Sequence, residues 1–195
     1  TIAVIDAISD NNFDPAANQT VTATTTDNDA AGFTIAQTGG STSVAETGTT
    51  DTFTIVLNAQ PASNVVLTVT SSDTGEATVN TPLTFTNGNW NTPQTVTVTG
   101  VDDNLVDGGR APNITITVDD ANSDNDFDAV ADQTVSATVS DDDVAGFTII
   151  ESGGATAVAE TGTTDTFTVV LNAQPTSDVV LSISSGGTSE ATVTS

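Results

Sequence analysis

The sequence predicts an all-β fold, an antiparallel sandwich of about seven strands, and three observations support this prediction. Apolar side chains alternate with threonines in short runs, as at Phe53, Ile55 and Leu57, which is the pattern of a strand with one buried and one solvated face. Clusters of Gly, Pro and Asn separate these runs. No stretch shows the spacing of apolar residues that an amphipathic helix requires.

Seven segments carry this alternating pattern within residues 31–144. They are 32–36, 52–57, 64–70, 83–86, 94–99, 113–118 and 133–139. So many short strands in about 100 residues are typical of an immunoglobulin-like sandwich. Pro82 lies just before the fourth segment, and we expect it to bend one strand that runs through 76–86 without reversing its direction. Trp90, in the turn that follows, is expected to pack over one end of the core.

The sequence repeats itself with a period of 114 residues. The decapeptide AETGTTDTFT begins at Ala45 and again at Ala159, and the pentapeptide AGFTI begins at Ala31 and at Ala145. This period is the length of a domain and exceeds that of a solenoid unit. We predict a complete repeat at residues 31–144, the C-terminal part of a preceding repeat at 1–30, and the N-terminal part of a following repeat at 145–195. Strands from elsewhere in a longer chain, or from a neighbouring molecule, are expected to complete the two partial copies.

The charge balance is strongly acidic. The chain has 26 acidic residues and one basic residue, which gives a formal net charge of -25. Such a charge repels phosphate backbones and anionic lipids, so nucleic acids and membrane surfaces are not expected partners. No apolar run has the length of about 18 residues that a membrane span needs, so direct membrane insertion by this segment is not expected either.

Cysteine, histidine and lysine are absent from the sequence. Their absence removes disulfides, thiol nucleophiles, the most common general base and the usual zinc ligands. Clustered carboxylates without an accompanying base or nucleophile are typical of an ion site. We therefore expect no enzymatic activity.

The order of the strands gathers many of the acidic residues at one end of the sandwich. Strands that alternate in direction place every second connection at the same end, and four such segments are acidic. Their residues are Glu46, Asp73, Glu76, Asp102, Asp103, Asp107, Asp141, Asp142 and Asp143. Carboxylates at close range repel one another unless they are protonated or bind a cation. Ca²⁺ accepts about six to eight oxygen ligands in flexible geometry, so we predict calcium at this end.

Four further acidic residues are predicted as ligands, three of them at the junctions between repeats. They are Asp27, Asp29, Asp120 and Glu160. The first two match residues 141–143 by the offset of one repeat, and Glu160 repeats Glu46. Asp120 belongs to the acidic loop 119–128, which we expect at the opposite end, where the preceding repeat is met. For Asp10, Asp14 and Asp51 we predict ordinary turn chemistry instead.

Four motifs also carry a family resemblance: Val44-Ala45-Glu46, the run NWNTPQTVTVTGVDD at 89–103, Asp107-Gly108, and the closing residues 140–143. At these motifs the sequence resembles the Calx-beta domain, in particular the versions repeated many times in giant bacterial adhesins of the RTX or biofilm type. The resemblance implies a Calx-beta-like sandwich that holds calcium. The residues that correspond to its ligands are Glu46, Asp73 or Glu76, Asp102 with Asp103, and Asp141 to Asp143. Asp107 departs from the pattern, since many relatives have Glu there.

Together these observations predict a calcium-stabilised extender repeat of a large bacterial adhesin, located extracellularly, on the cell surface or in a secreted matrix. Its expected partners are the neighbouring repeats of the same chain. One alternative is a repeat that self-assembles into a filament, sheath or biofilm matrix. Another is a sugar- or ice-binding module that uses threonine rows such as Thr95, Thr97 and Thr99, although threonine is also a common residue on the solvated face of a strand.

Overall fold

The computed structural model of the chain describes residues 1–194 and confirms the predicted all-β class. No α-helix occurs in the described part of the chain. The chain divides into two compact units, residues 1–30 and the part from Ala31 onward. The strands are β1 (Phe33–Gln37), β2 (Thr42–Ala45), β3 (Thr50–Leu57), β4 (Val65–Ser71), β5 (Ala77–Val79), β6 (Leu83–Phe85), β7 (Gln94–Gly100), β8 (Asn113–Val118), β9 (Gln133–Ser140), β10 (Phe147–Glu151) and β11 (Phe167–Leu171).

Strands β1 to β9 form two sheets around one hydrophobic core. The first sheet has the order β1-β3-β7-β5 and the second the order β2-β9-β8-β4-β6. The strand pairs are antiparallel except for the parallel pair β2–β9. The core is built from the alternate, inward-facing residues, each of which contributes about 1.5–3 kcal/mol when fully buried. The largest of them are Phe53, Phe85, Ile55, Leu67, Ile114 and Ile116, and Phe127 joins them from a 3-10 turn of the loop between β8 and β9.

The sandwich has nine strands, two more than the alternating pattern indicated, because two strands change sheets along their length. A 3-10 turn at Thr38–Gly40 carries the chain from β1 in the first sheet to β2 in the second. Gly39 and Gly40 in this turn have φ angles of 69° and 87°, where a side chain would be strained. At Pro82 the chain passes from β5, paired with β7, to β6, paired with β4. It keeps its direction, as predicted for Pro82.

One end of the sandwich is closed by Trp90 and by the loop 119–132. Trp90 packs against the core, as predicted, and its carbonyl accepts the Leu57 N–H at 3.1 Å. The buried Asp124 carboxylate accepts the N–H groups of Ala62 at 2.6 Å and Ser63 at 2.8 Å. Hydrogen bonds from the backbone N–H groups of Ser63, Asp126 and Ala62 hold the pKa of Asp124 below its usual range. Asp124 therefore fastens two loops together.

The hairpin formed by β10 and β11 repeats the pairing of β1 with β3 one period later in the sequence. Phe147 pairs with Leu171, as Phe33 pairs with Leu57. The Asn172 N–H donates to the Gly146 carbonyl at 2.9 Å, as the equivalent asparagine does in the complete sandwich. Many apolar side chains of this hairpin are exposed. The predicted boundary between residues 144 and 145 stays a prediction.

The unit 1–30 contains little regular structure. An antiparallel bridge joins Ile2 and Gln19. Asp10 accepts the backbone N–H of Asn12 at 2.9 Å, which is the turn chemistry expected of it.

Candidate metal centre

Four segments that are far apart in the sequence meet at the end of the sandwich opposite Trp90. We call this region the acidic end; it comprises residues 45–49, 72–76, 101–112 and 140–143. The Glu46 N–H donates to the Ser140 carbonyl at 3.1 Å, and the Val101 N–H donates to the Glu76 carbonyl at 2.9 Å. The alternation of strand direction thus brings these segments together as the sequence order indicated.

Two glutamates at the acidic end are buried. Glu46 is 2% exposed and Glu76 is 7% exposed. In each of them the Oε2 atom is buried and has no hydrogen-bond partner. A buried carboxylate oxygen without a partner costs free energy, and native proteins rarely leave one in this state. These two oxygens therefore indicate a site that a cation would complete.

The acidic end contains two groups of three converging carboxylates, and Glu46 belongs to both. One group is Glu46, Glu76 and Asp107, and the other is Glu46, Asp103 and Asp143. Within each group the candidate ligand oxygens lie within 4.8 Å of one another. Oxygens on opposite sides of a calcium ion are about 4.6–5.2 Å apart, since each Ca–O distance is about 2.3–2.6 Å. The spacing and the all-oxygen chemistry of the donors fit calcium.

The carboxylates of the acidic end disfavour one another's ionisation. Burial, with repulsion from Asp141 and Glu76, raises the pKa of Glu46 from its ordinary 4.5 to about 7. Burial, followed by repulsion from Asp107, also raises the pKa of Glu76. The pKa of Asp143 is raised by burial and then by Asp141. A divalent cation would relieve both the desolvation and the repulsion.

Asp141 supports the site through the backbone. Its Oδ2 accepts the Gly108 N–H at 2.8 Å and its Oδ1 accepts the Asp143 N–H at 2.7 Å. These hydrogen bonds hold the pKa of Asp141 below its usual range. Asp103 closes a local turn by accepting the Leu105 N–H at 2.7 Å. Both aspartates thereby fix the loop 101–112 that carries candidate ligands.

The structure does not bring every predicted ligand into these groups. Asp73, Asp102 and Asp142 are at the acidic end but are exposed and belong to neither group. Asp27, Asp29, Asp120 and Glu160 are also exposed, and none joins a converging group of three acids among residues 1–194. Glu160 is exposed although its sequence neighbours match those of the buried Glu46. Asp141 also belongs to neither group. Calcium ligation by all of the predicted residues stays a prediction.

Two residues were missing from the sequence prediction of this site: Arg110 of the acidic end and Gly100, which immediately precedes it. Arg110 donates from Nη2 to Asp107 Oδ2 at 2.6 Å, and this bond raises the pKa of the guanidinium. Arg110 is the one basic residue of the sequence and lies within an acidic segment, so the sequence alone could have drawn attention to it. Gly100 ends β7, where an added Cβ would lie 2.0 Å from the Ala45 carbonyl oxygen. A glycine within a strand pattern often marks such a close backbone approach.

In the absence of metal, we expect the free energy of unfolding to fall as the pH rises from about 4.5 to about 7. In this window the folded chain holds a proton on Glu46 that the unfolded chain has released, because the folded-state pKa is the higher one. This stabilisation is lost as the pH rises through the folded pKa. The raised pKa values of Glu76 and Asp143 act in the same direction.

Calcium is expected to reverse this dependence, because the ligand carboxylates must be deprotonated to bind the ion. Thermal denaturation in EGTA and in calcium, each at about pH 5 and about pH 7.5, measures both trends. A metal-free chain that is more stable at the higher pH would contradict the expectation. The pKa values of Asp124 and Asp141 are lowered from 3.8, so these groups change the stability only at a pH below this comparison.

Comparisons with known proteins give matches of fold only at low similarity. No family model matches the chain, and no curated protein matches it. Among solved structures, the apo form of the Calx CBD1 domain is similar with a TM-score of 0.40 and 13% identity, over 57% of this chain and 98% of that one. Domains 1–6 of the surface layer protein SbsC give a TM-score of 0.35 and 21% identity, over 72% of this chain and 21% of that one. CBD12 from CALX1.2 gives a TM-score of 0.38 and 13% identity, over 60% of this chain and 54% of that one.

These TM-scores are too low to support an argument about function, so the functional interpretation depends on the site itself. Within residues 1–194, no helix is long and apolar enough to cross a membrane.

Proposed function

We propose that this chain is a calcium-stabilised structural repeat, a segment that extends a large bacterial protein outside the cell. The observation that carries the proposal is the pair of buried glutamates, Glu46 and Glu76, each with an unpartnered carboxylate oxygen. Asp103, Asp107 and Asp143 converge on Glu46 from two other segments. Such a set of like charges is stabilised either by protonation or by a bound cation, and a cation allows the carboxylates to stay ionised.

Calcium suits these donors better than magnesium does. The candidate ligands are carboxylates on separate loops, and such a set adapts to the variable coordination of Ca²⁺. Magnesium demands stricter octahedral geometry and retains its waters. Because the ligands converge only in the folded chain, the free energy of ion binding adds to the free energy of folding.

The loop that carries Asp103 and Asp107 also contacts the following hairpin. The Gln174 N–H donates to the Asn104 carbonyl at 2.6 Å, and the Val106 N–H donates to the Gln174 carbonyl at 3.3 Å. These bonds form a parallel bridge between Leu105 and Gln174. An ion that orders the loop 101–112 would therefore also stiffen the connection to the next repeat.

In this proposal the chain has no catalytic role and acts as a spacer. Its partners are the neighbouring repeats, and it belongs on the bacterial cell surface or in a secreted matrix. Calcium in extracellular modules is bound with dissociation constants of about 0.1–1 mM, which suits an environment where calcium is millimolar.

Removal of calcium tests the proposal. At a calcium concentration about 100 times the Kd, binding stabilises the folded state by about 2.7 kcal/mol, so EGTA should lower the Tm by roughly 10 °C. We also expect a change in the sedimentation coefficient, because the connection to the following hairpin loosens. An unchanged Tm together with an unchanged sedimentation coefficient would contradict the proposal. Ordered fibres formed in calcium would favour the self-assembling alternative.

A further inference from the structure

The single basic residue of the sequence lies at the acidic end. The other 194 residues include no second arginine and no lysine or histidine. The backbone of Arg110 is fixed against β9, because its N–H donates to the Val139 carbonyl at 2.9 Å and its carbonyl accepts the Val139 N–H at 2.8 Å. This antiparallel bridge sets where the side chain begins.

The guanidinium contacts one of the two carboxylate groups described above. Its Nη2 and Nε atoms donate to Asp107 Oδ2 at 2.6 and 3.2 Å, and Nε lies 3.8 Å from Glu76 Oε1. Such charge-assisted hydrogen bonds are short and strong. Glu76 and Asp107 form the first group with Glu46. The second group, Glu46 with Asp103 and Asp143, has no basic residue against it among the described residues.

Both groups therefore contain Glu46, but only the first group has a basic side chain against it. A calcium ion bound to Asp107 would lie within a few ångströms of the guanidinium and would be repelled by it. The guanidinium already occupies one of the two carboxylate oxygens of Asp107, Oδ2. Glu76 Oε2 has no hydrogen-bond partner, but the other oxygen of the same carboxylate, Oε1, lies 3.8 Å from the guanidinium.

We propose that Arg110 acts as a built-in cation that occupies the Glu76–Asp107 half of the acidic end and confines calcium to the half formed by Glu46, Asp103 and Asp143. This inference depends on the proposed function, since it concerns which part of a calcium site the ion uses. In this arrangement Arg110 partly neutralises the carboxylates of Glu76 and Asp107 when no metal is bound, and it limits the number of calcium ions that bind.

Substitution of Arg110 tests the inference, with calcium binding measured by equilibrium dialysis and Tm measured in EGTA and in calcium. Arg110→Gln removes the charge but keeps a polar side chain, and Arg110→Lys keeps the charge as the matched control. We expect Arg110→Gln to bind one calcium ion more per chain than the parent, to have a lower Tm in EGTA, and to gain more from calcium. Arg110→Lys should bind as many ions as the parent.

If the parent binds calcium and Arg110→Gln binds no additional ion, the inference fails while the proposed function stands. If neither binds calcium, both fail. Should Arg110→Gln unfold in EGTA, its refolding in calcium, followed by circular dichroism, supports the inference. Failure to fold in calcium as well would overturn it, because the ion should then replace the lost charge.

Discussion

Replacement of Glu46 by glutamine is expected to abolish the stabilisation that calcium gives. Glu46 belongs to both carboxylate groups, so Glu46→Gln removes the one charge that an ion in either group would contact. Glutamine has nearly the same shape, so the packing around this buried position is kept. The loss should be about 2.7 kcal/mol when calcium is about 100 times the Kd.

The same substitution is expected to leave the Tm in EGTA unchanged or to raise it. Glu46 is buried beside other acids and its pKa is raised to about 7, so a neutral side chain is better tolerated there when no metal is bound. Opposite effects in EGTA and in calcium separate a ligand from a residue that only packs. Differential scanning calorimetry of the variant under both conditions measures them.

The repeated sequence offers a matched control for this experiment. Glu160→Gln alters the same residue within an identical decapeptide, but Glu160 is exposed. Because Glu160 belongs to neither carboxylate group of the acidic end, we expect this control to retain the stabilisation that calcium gives there, even if Glu160 binds an ion of its own. Equal losses in the two variants would show that Glu46 has no special role.

Replacement of Gly100 by alanine is expected to destabilise the folded chain by about 3 kcal/mol or more. An added Cβ would lie 2.0 Å from the carbonyl oxygen and 2.8 Å from the carbonyl carbon of Ala45. Both neighbours are backbone atoms, so a side-chain rotation cannot relieve the clash. The segment before Glu46 must then move away from β7, which should also weaken calcium binding.

Gly88→Ala is the control for this second prediction. Its Cβ would meet Thr86 Oγ1 at 3.9 Å, an ordinary van der Waals distance. Urea denaturation of both variants should show a large fall in the free energy of unfolding for Gly100→Ala and a small change for Gly88→Ala. A similar stability for the two variants would contradict the close approach at Gly100.

The sequence was sufficient to predict the sandwich and the end where its acids gather. Alternating apolar residues identify strands such as β3, and strand direction then decides which loops meet. The short strand β2 was missed because four residues beside Gly carry too weak a pattern, and its pairing with β9 depends on contacts distant in the sequence. A bent strand through 76–86 was predicted, but its division into β5 and β6, which pair with strands of different sheets, was not.

The sequence could not predict which of two neighbouring acidic residues converges on Glu46. Asp102 and Asp103 look alike in a run, yet only Asp103 converges on Glu46. Asp142 and Asp143 differ in the same way. Which of two adjacent residues faces the site depends on the local turn, and that turn is set by hydrogen bonds such as those of Asp141.

A crystal structure of the chain grown in millimolar calcium tests the central claim most directly, with anomalous scattering to identify the ion. The account predicts an anomalous peak between Glu46, Asp103 and Asp143, at about 2.3–2.6 Å from their carboxylate oxygens. An acidic end without a peak at that position, or calcium bound only by the exposed aspartates Asp102 and Asp142, would contradict it.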